Sequence, residues 1–273
     1  TVDEIKAQIN IVDVISDYIK LTKKGNEYNA LCPFHNEKTP SFTISPVKQF
    51  FKCFGCGKSG DAIDFVMLQE NLNFLEAVKK VSLKYGLEFE YTTKEYVKPI
   101  PRLEKIGTKA LEWFENTRGI TNNTLLRFGI TEAVEWMPQF DKEVPVICFN
   151  YFRDGELVNI KFRGPKKSFK LAKDAELIFY NLDAIKDTDE CIVVEGEIDC
   201  MTVHQCGRYD VVSVPNGAGA GNLKLPYLDN CWEYFMTKKK AILFTDNDTP
   251  GITLRDELAR RIGYEKCYRV SYP

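Results

Sequence analysis

Residues 32–56 read CPFHNEKTPSFTISPVKQFFKCFGC, and this stretch decides what the first third of the chain is. It holds Cys32-x-x-His35 and Cys53-x-x-Cys56, two pairs with 17 residues between them. A two-residue spacing lets both members of a pair reach one ion from a tight turn. Together the pairs supply the four ligands of a closed tetrahedral zinc site, with no position left for water, so the metal would be structural. Gly55 and Gly57 suit the sharp turn at the second pair. A Cys53–Cys56 redox pair, or plain reduced core cysteines, is the competing reading, and it leaves the first pair to coincidence. Around the ligands lie Phe42, Phe50, Phe51 and Phe54, with Lys48, Lys52 and Lys58. Strand alternation turns about half of such phenylalanines outward. A ring beside lysines would form a stacking surface with phosphate-binding charge, suited to a single nucleic-acid strand. Lys48, Phe51 and Lys52 are the candidates for that contact.

Working outward, the 273 residues suffice for one large domain or two modest ones. Apolar residues make up 44% and charged residues 28%, which describes a globular chain and excludes a disordered one. No apolar run is long enough to span a bilayer. The net charge is −2, so any phosphate-bearing partner must be met by local basic patches. Nine cysteines with no secretion signal point to a reducing compartment. The spacing of Ile5, Ile9, Val12, Ile15 and Ile19 predicts one or two short amphipathic helices over 3–21. Helices are expected over 60–70 and 73–86, with Asn73 and Glu76 as a capping box. The polar, proline-ended segment 90–101 reads as a linker.

From Cys191 onward the pattern becomes strand, helix, strand. CIVVEG, DVVSVPNG, AILFTDND and KCYRVSY read as four strands with helices between them, one of them over 225–240. Buried apolar strands alternating with helices predict a small parallel sheet. Glu195 then falls at the carboxyl end of the first strand, and Asp246 with Asp248 at the end of the third. That edge is where open parallel sheets bind ligands. Three converging carboxylates call for cations, and hard oxygen donors suit Mg²⁺ or Mn²⁺. Glu197 and Asp199 follow in the same turn as further candidate ligands. Stabilisation of a helix N-terminus by acidic residues is the alternative, and it accounts best for Asp199 alone. The glycine-rich VPNGAGAGN (214–222) lacks a Gly-Lys-Ser/Thr ending and carries little weight.

KFRGPKKSFK (161–170) is the basic run. Lys161 and Arg163, alternate residues of one strand, would point to one face and grip phosphates, with Lys170 beside them and Arg163 foremost. A solvated hairpin is the plainer reading.

The segment LCPFHNEKTPSF…KCFGCGKSGDAIDFVM resembles the Cys-His-Cys-Cys zinc-binding domain of bacterial replicative primases, over about 1–88. The strand ending in Glu-Gly and the strand ending in Asp-x-Asp resemble the Toprim domain of primases and topoisomerases, over about 190–273. The region 103–185 is more loosely similar to the corresponding part of phage-type primases. The resemblance implies an α+β zinc-ribbon domain (1–89), a linker (90–101), an α+β N-terminal subdomain (102–187) and an α/β Toprim domain (188–273). The last ends before a further acidic motif usual in such domains, so a truncated domain is expected. It also implies a DNA primase that joins ribonucleoside triphosphates into short RNA primers on single-stranded DNA. Glu195, Asp246 and Asp248 would be its catalytic magnesium or manganese ligands, and Cys32, His35, Cys53 and Cys56 would hold structural zinc. The expected partners are the template strand, ribonucleoside triphosphates and a replicative helicase in cis or in trans, in the cytoplasm of a bacterial or phage-infected cell. Another Toprim enzyme of nuclease or topoisomerase type, or a non-catalytic single-strand-binding module, remains as the alternative.

Overall fold

A computed structural model describes residues 2–72, 74–87, 95–102, 104–216 and 225–270; it separates into two compact units, Thr1–Lys94 and Glu95–Pro273. The segments 90–94 and 217–222, and Asn73, which bear on the expected linker, glycine-rich turn and capping box, lie outside the described residues. No helix among the described residues is long and apolar enough to cross a membrane.

The first unit begins with α1 (Val2–Gln8) and α2 (Ile11–Ser16). The helical pattern is broken in two at Asn10, whose side chain accepts a hydrogen bond from the Val12 N–H at 2.9 Å and so starts α2 afresh. Five short antiparallel strands follow in sequence order: β1 (Thr22–Lys24), β2 (Glu27–Ala30), β3 (Phe42–Ser45), β4 (Phe50–Cys53) and β5 (Ser59–Gly60). Next come α3 (Ala62–Glu70) and α4 (Phe74–Lys84). Asp61 and Asp64 form a capping box at the start of α3. Phe42, Phe51 and Phe65 are fully buried, and with Phe34 their ring centroids lie 5.0–6.1 Å apart. Burying each phenylalanine is worth roughly 2–3 kcal/mol. This aromatic cluster therefore fastens α3 to the sheet that carries the cysteines.

The second unit opens with β6 (Glu104–Lys105), α5 (Thr108–Arg118) and α6 (Asn122–Arg127). Residues 95–101 are not a free tether, since the Val97 N–H donates to the Asp174 carbonyl at 3.0 Å. An antiparallel meander is completed by β7 (Thr131–Met137), β8 (Lys142–Arg153), β9 (Glu156–Arg163) and β10 (Phe169–Leu171), in the order β10-β9-β8-β7-β6. Asp154 and Gly155 both adopt positive φ in the tight β8–β9 turn, the conformation that the Asp-Gly pair favours. Met137, Cys148 and Ile160 form the fully buried centre of this sheet's core.

The remainder alternates strand and helix: β11 (Glu190–Val194), α7 (Glu197–Gln205), β12 (Val211–Ser213), α8 (Pro226–Asn230), α9 (Trp232–Met236), β13 (Lys240–Phe244), α10 (Thr249–Ile262) and β14 (Cys267–Arg269). All four strands are parallel, in the order β12-β11-β13-β14. The single helix expected over 225–240 is broken at Cys231. Arg153 donates to the Asn230 carbonyl at 2.6 Å, and the Tyr234 N–H turns to Cys231 instead.

Candidate functional site

Cys32 and His35 stand in the turn after β2, while Cys53 ends β4 and Cys56 lies in the following turn. Their four ligand atoms all lie within 4.8 Å of one another, and among the described residues no other group of three or more His, Cys, Asp or Glu does this. Cys32 Sγ is 3.8 Å from Cys56 Sγ, and Cys53 Sγ is 3.8 Å from His35 Nδ1. A tetrahedron built on bonds of about 2.3 Å has edges of about 3.8 Å, so these two edges match a zinc site and the other four exceed that length by at most about an ångström. The Phe34 N–H donates to Cys32 Sγ and the Cys56 N–H to Cys53 Sγ, each at 3.4 Å, the bonds that hold thiolates in such turns. A side chain at Gly55 would come within 2.6 Å of His35 Nε2, so only glycine fits there.

The proposed stacking residue needs correcting. Phe51 is fully buried in the aromatic cluster and offers no face to a nucleic acid. Cys53 points inward, and Phe51, two residues before it in the same strand, shares that face. Phe54 is the outward ring, 71% exposed, with Lys52 Nζ 5.8 Å from its centroid. Lys52 stands between Thr43 and Ser59 in register, on the face of the sheet away from the core. Lys48 is exposed in the β3–β4 turn.

In the second unit, Val194 of β11 pairs with Phe244 of β13, so both strands end on the same rung. From β11 the chain passes through α7 to β12 on one side, and later returns to β13 on the other. The loops that carry Glu195 and Asp246 therefore part at a topological switch point, where such sheets leave a crevice. The Asp246 N–H donates to Glu195 Oε1 at 2.8 Å, and Asp248 caps α10 by accepting from the Gly251 N–H at 2.8 Å. A side chain at Gly251 would reach within 2.5 Å of Glu195 Oε1, so glycine permits the close approach. Partial burial raises the Glu195 carboxyl above its ordinary range; the Asp246 N–H opposes this, and the charges of Asp246, Asp248 and Asp199 add to it. Asp199 is raised likewise, by the packing around it and then by Asp246 and Glu197, with Arg118 pulling the other way. None of Glu195, Asp199, Asp246 and Asp248 forms an ion pair with a Lys or Arg among the described residues. A set of oxygen donors that repel one another and lack a basic partner fits a divalent cation. Glu197 is not part of it. Its carboxylate is buried, accepting from Tyr151 Oη at 2.5 Å and Lys161 Nζ at 2.7 Å.

The three predicted cations separate. Lys161 is bound to Glu197 and only 12% exposed; Lys170 is bound to Glu135 at 2.8 Å and to the Trp136 carbonyl. Arg163 has no carboxylate partner among the described residues. Its guanidinium lies 5.1 Å from the Trp113 ring centroid and 5.2 Å from that of Phe169. Burial, then the nearby Arg118, lowers its pKa. Arg118 in turn lies 5.3 Å from the Trp113 centroid. Arg163, Arg118, Trp113, Lys109, Lys166 and Lys167 line a cavity of about 520 Å³. Lys166 and Lys167 form a tight turn with φ of 53° and 57°, a conformation that favours Asn-Gly, closed by the Ser168 N–H to the Pro165 carbonyl. Left-handed backbone at two successive lysines is unfavourable by about 1–3 kcal/mol each. Sequence reading assigns α5 no role; the signal available in LEWFENTRG is a tryptophan on a helix that ends in an arginine.

Comparison with known proteins bears on both units. Residues 1–97 match the CHC2 zinc finger family and residues 189–271 the Toprim domain family. The DNA primase of Clostridium acetobutylicum is 30% identical over 97% of this chain, and that of Thermotoga maritima 36% over 90%. The chain is a homologue of the DNA primases. It joins a structural CHC2 zinc finger to a Toprim domain. It also matches the chloroplastic/mitochondrial Twinkle homolog protein of Arabidopsis thaliana, with 39% identity over 91% of the chain. The chain spans about half the length of the Clostridium primase (53%), 41% of the Thermotoga primase and 35% of the Twinkle homolog. The primase fragment of the bacteriophage T7 primase-helicase has the same fold, with a TM-score of 0.50 and 20% identity, over 89% of this chain and 88% of that one.

Proposed function

We propose that the chain carries the primer-synthesising part of a DNA primase, joining ribonucleoside triphosphates on a single-stranded DNA template. The observation that carries this reading is the switch point: Glu195 and Asp246 meet across the β11–β13 crevice with Asp248 and Asp199 beside them, and no basic side chain neutralises the group. Glu195, Asp246 and Asp248 hold the catalytic cation, with Asp199 as a further ligand. Mg²⁺ or Mn²⁺ is the class these donors suit, and when bound it supplies charge neutralisation at the phosphates. In the reaction the 3′-hydroxyl of one nucleotide loses its proton to water, and its oxygen forms a bond to the α-phosphorus of the next. The bond from that phosphorus to the β-phosphate bridging oxygen breaks, and pyrophosphate departs with the electron pair. Arg163 leads the phosphate grip, because it alone of the three predicted cations has no carboxylate to leave. Arg118, Lys166 and Lys167 share the work, and their charge reaches the acidic rim through Arg118. Lys161 and Lys170 serve from their ion pairs. In the zinc unit, Lys48 and Lys52 with Phe54 meet the template strand. A replicative helicase, in cis or in trans, is the partner this activity calls for.

The test is primer synthesis from labelled ribonucleoside triphosphates with Mg²⁺ or Mn²⁺, run beside single-strand binding. Asp246→Asn should abolish synthesis and leave binding unchanged. Nicking of duplex DNA in place of synthesis would make this a different Toprim enzyme. Binding with neither reaction, in the full-length protein, would make it a binding module.

A further inference from the structure

Glu37 lies between the two ligand pairs and is not a ligand itself. Its Oε1 accepts from the Cys32 N–H at 2.7 Å and from the Ser41 N–H at 3.0 Å. Its Oε2 accepts from Ser41 Oγ at 2.5 Å and stands 3.2 Å from His35 Nε2. Ser41 Oγ is also 3.2 Å from Cys53 Sγ. One carboxylate, 11% exposed, therefore touches the backbone of the first ligand and lies beside the imidazole of the second. It also holds Ser41, whose carbonyl accepts at 2.9 Å from the N–H of Phe54, the residue next to the third ligand. Of the two ring nitrogens, Nδ1 lies 3.8 Å from the sulfur of Cys53 and Nε2 lies 3.2 Å from Glu37 Oε2.

We infer that Glu37 is the positioning residue of the zinc site: it accepts the His35 Nε2–H, fixes the tautomer that presents Nδ1 to zinc, and joins the two ligand pairs into one unit. A carboxylate behind a ligating histidine orients the ring and strengthens it as a donor. Glu37 differs from such a partner in also binding the backbone of Cys32 and holding Ser41 against the strand end that carries Cys53. The link matters because Cys32 and His35 sit outside any strand, while Cys53 is anchored in β4. Glu37 and Ser41 hold the unsupported pair to the supported one. Gly55 belongs to the same arrangement, since a side chain there would come within 2.6 Å of His35 Nε2 and 2.9 Å of Ser41 Oγ. The inference concerns the zinc site alone and does not depend on the polymerase reading.

Two measurements test it. Long-range ¹H–¹⁵N spectra of the zinc-loaded chain should show His35 protonated at Nε2, with slow solvent exchange, and metal-bound through Nδ1. The opposite tautomer would overturn the proposal without any variant. Competition with a chromophoric chelator should show Glu37→Ala binding Zn²⁺ about 10–100-fold more weakly, the usual cost of losing such a partner. Glu37→Gln, which keeps an acceptor of the same shape, should recover part of that loss. Ser41→Ala should lose less than Glu37→Ala, because the carboxylate still reaches Cys32 and His35. Zinc affinity within about twofold of the parent in Glu37→Ala would sink the idea. If Glu37→Ala does not fold, the tautomer and the Ser41→Ala affinity still decide.

Discussion

The zinc cluster and the acidic rim, the site proposed for the catalytic cation, are built on opposite principles. In the first, four ligand atoms lie within 4.8 Å of one another, with N–H bonds to the sulfurs and a half-buried carboxylate beside the histidine. In the second, no three ligand atoms come as close, and burial, with the neighbouring carboxylates adding to it, raises the pKa of Glu195 and Asp199. A closed site gains by being complete, because the metal's binding energy becomes folding energy. On the proposed reading the rim admits phosphates and releases product, so it gains by being open, and a bound cation would relieve its repulsion. The contrast makes opposite predictions for removing a ligand from each.

The largest effect is expected in the zinc unit. Cys53→Ser should abolish zinc binding and unfold that unit, since structural zinc contributes on the order of 10 kcal/mol in small zinc domains. Amide resonances of residues 22–60 should collapse toward random-coil positions while those of 190–270 persist. Glu195→Gln, the matching change at the rim, should leave both sets in place. A folded zinc unit in Cys53→Ser would erase the distinction.

Second in size is Glu197, which separates acids already neutralised from acids left bare. Lys161 and Glu197 form a buried pair, with side chains 12% and 5% exposed. Glu197→Ala leaves the Lys161 ammonium buried without a counter-charge and the Tyr151 hydroxyl without its acceptor. Removing one partner of such a pair costs about 3–5 kcal/mol. The urea midpoint should fall accordingly, and a fall below 1 kcal/mol would mean that Lys161 escapes to solvent and is free to grip phosphate after all.

How these features showed in the sequence follows from their range. The zinc ligands were legible because each pair is local, and a two-residue spacing leaves few other purposes. The parallel sheet was legible because VV, VVSV and AILF are apolar without alternation, so each strand must be covered on both faces. Asp246 and Asp248 could be located because such strands end where polarity begins. Phe51 was misread although its phase was available: Cys53 must face the metal, so residue 51 faces inward too. Lys161 and Glu197 stand 36 residues apart and meet only because β9 packs near the start of α7, which no local pattern encodes. The cavity under Trp113 was hidden for the same reason, since it joins α5 to the β9–β10 turn.

Gly251 sharpens the comparison with a smaller effect. It lies in the first turn of α10, and a methyl group there would meet both the Asp246 carbonyl and Glu195 Oε1. Gly251→Ala should therefore cost about 1–3 kcal/mol as an overpacking change, in place of the gain that alanine brings to an open helix. The cost should shrink in the Glu195→Ala background, because one of the two clashes is gone. Equal costs in both backgrounds would mean that the backbone contact alone sets the limit and that Glu195 is free to move.

The smallest predicted effect has the sign that distinguishes the two sites. Asp246 is exposed, and its side chain, unlike its backbone N–H, anchors no element of the fold. Asp246→Asn keeps that N–H for Glu195 and removes one of four negative charges from the rim. With divalent ions chelated, the variant should be more stable than the parent by about 0.5–1 kcal/mol, the usual scale of an exposed charge interaction. For a unit of this size that raises the melting temperature by about 1–4 °C. Millimolar Mg²⁺ or Mn²⁺ should then raise the parent and leave the variant almost unmoved, so that the two melting curves converge or cross. A loss of stability in the metal-free variant would mean that Asp246 has a favourable partner in the folded chain. The rim would then be a self-satisfied structure like the zinc turn without its metal, and it would have no repulsion for a cation to relieve.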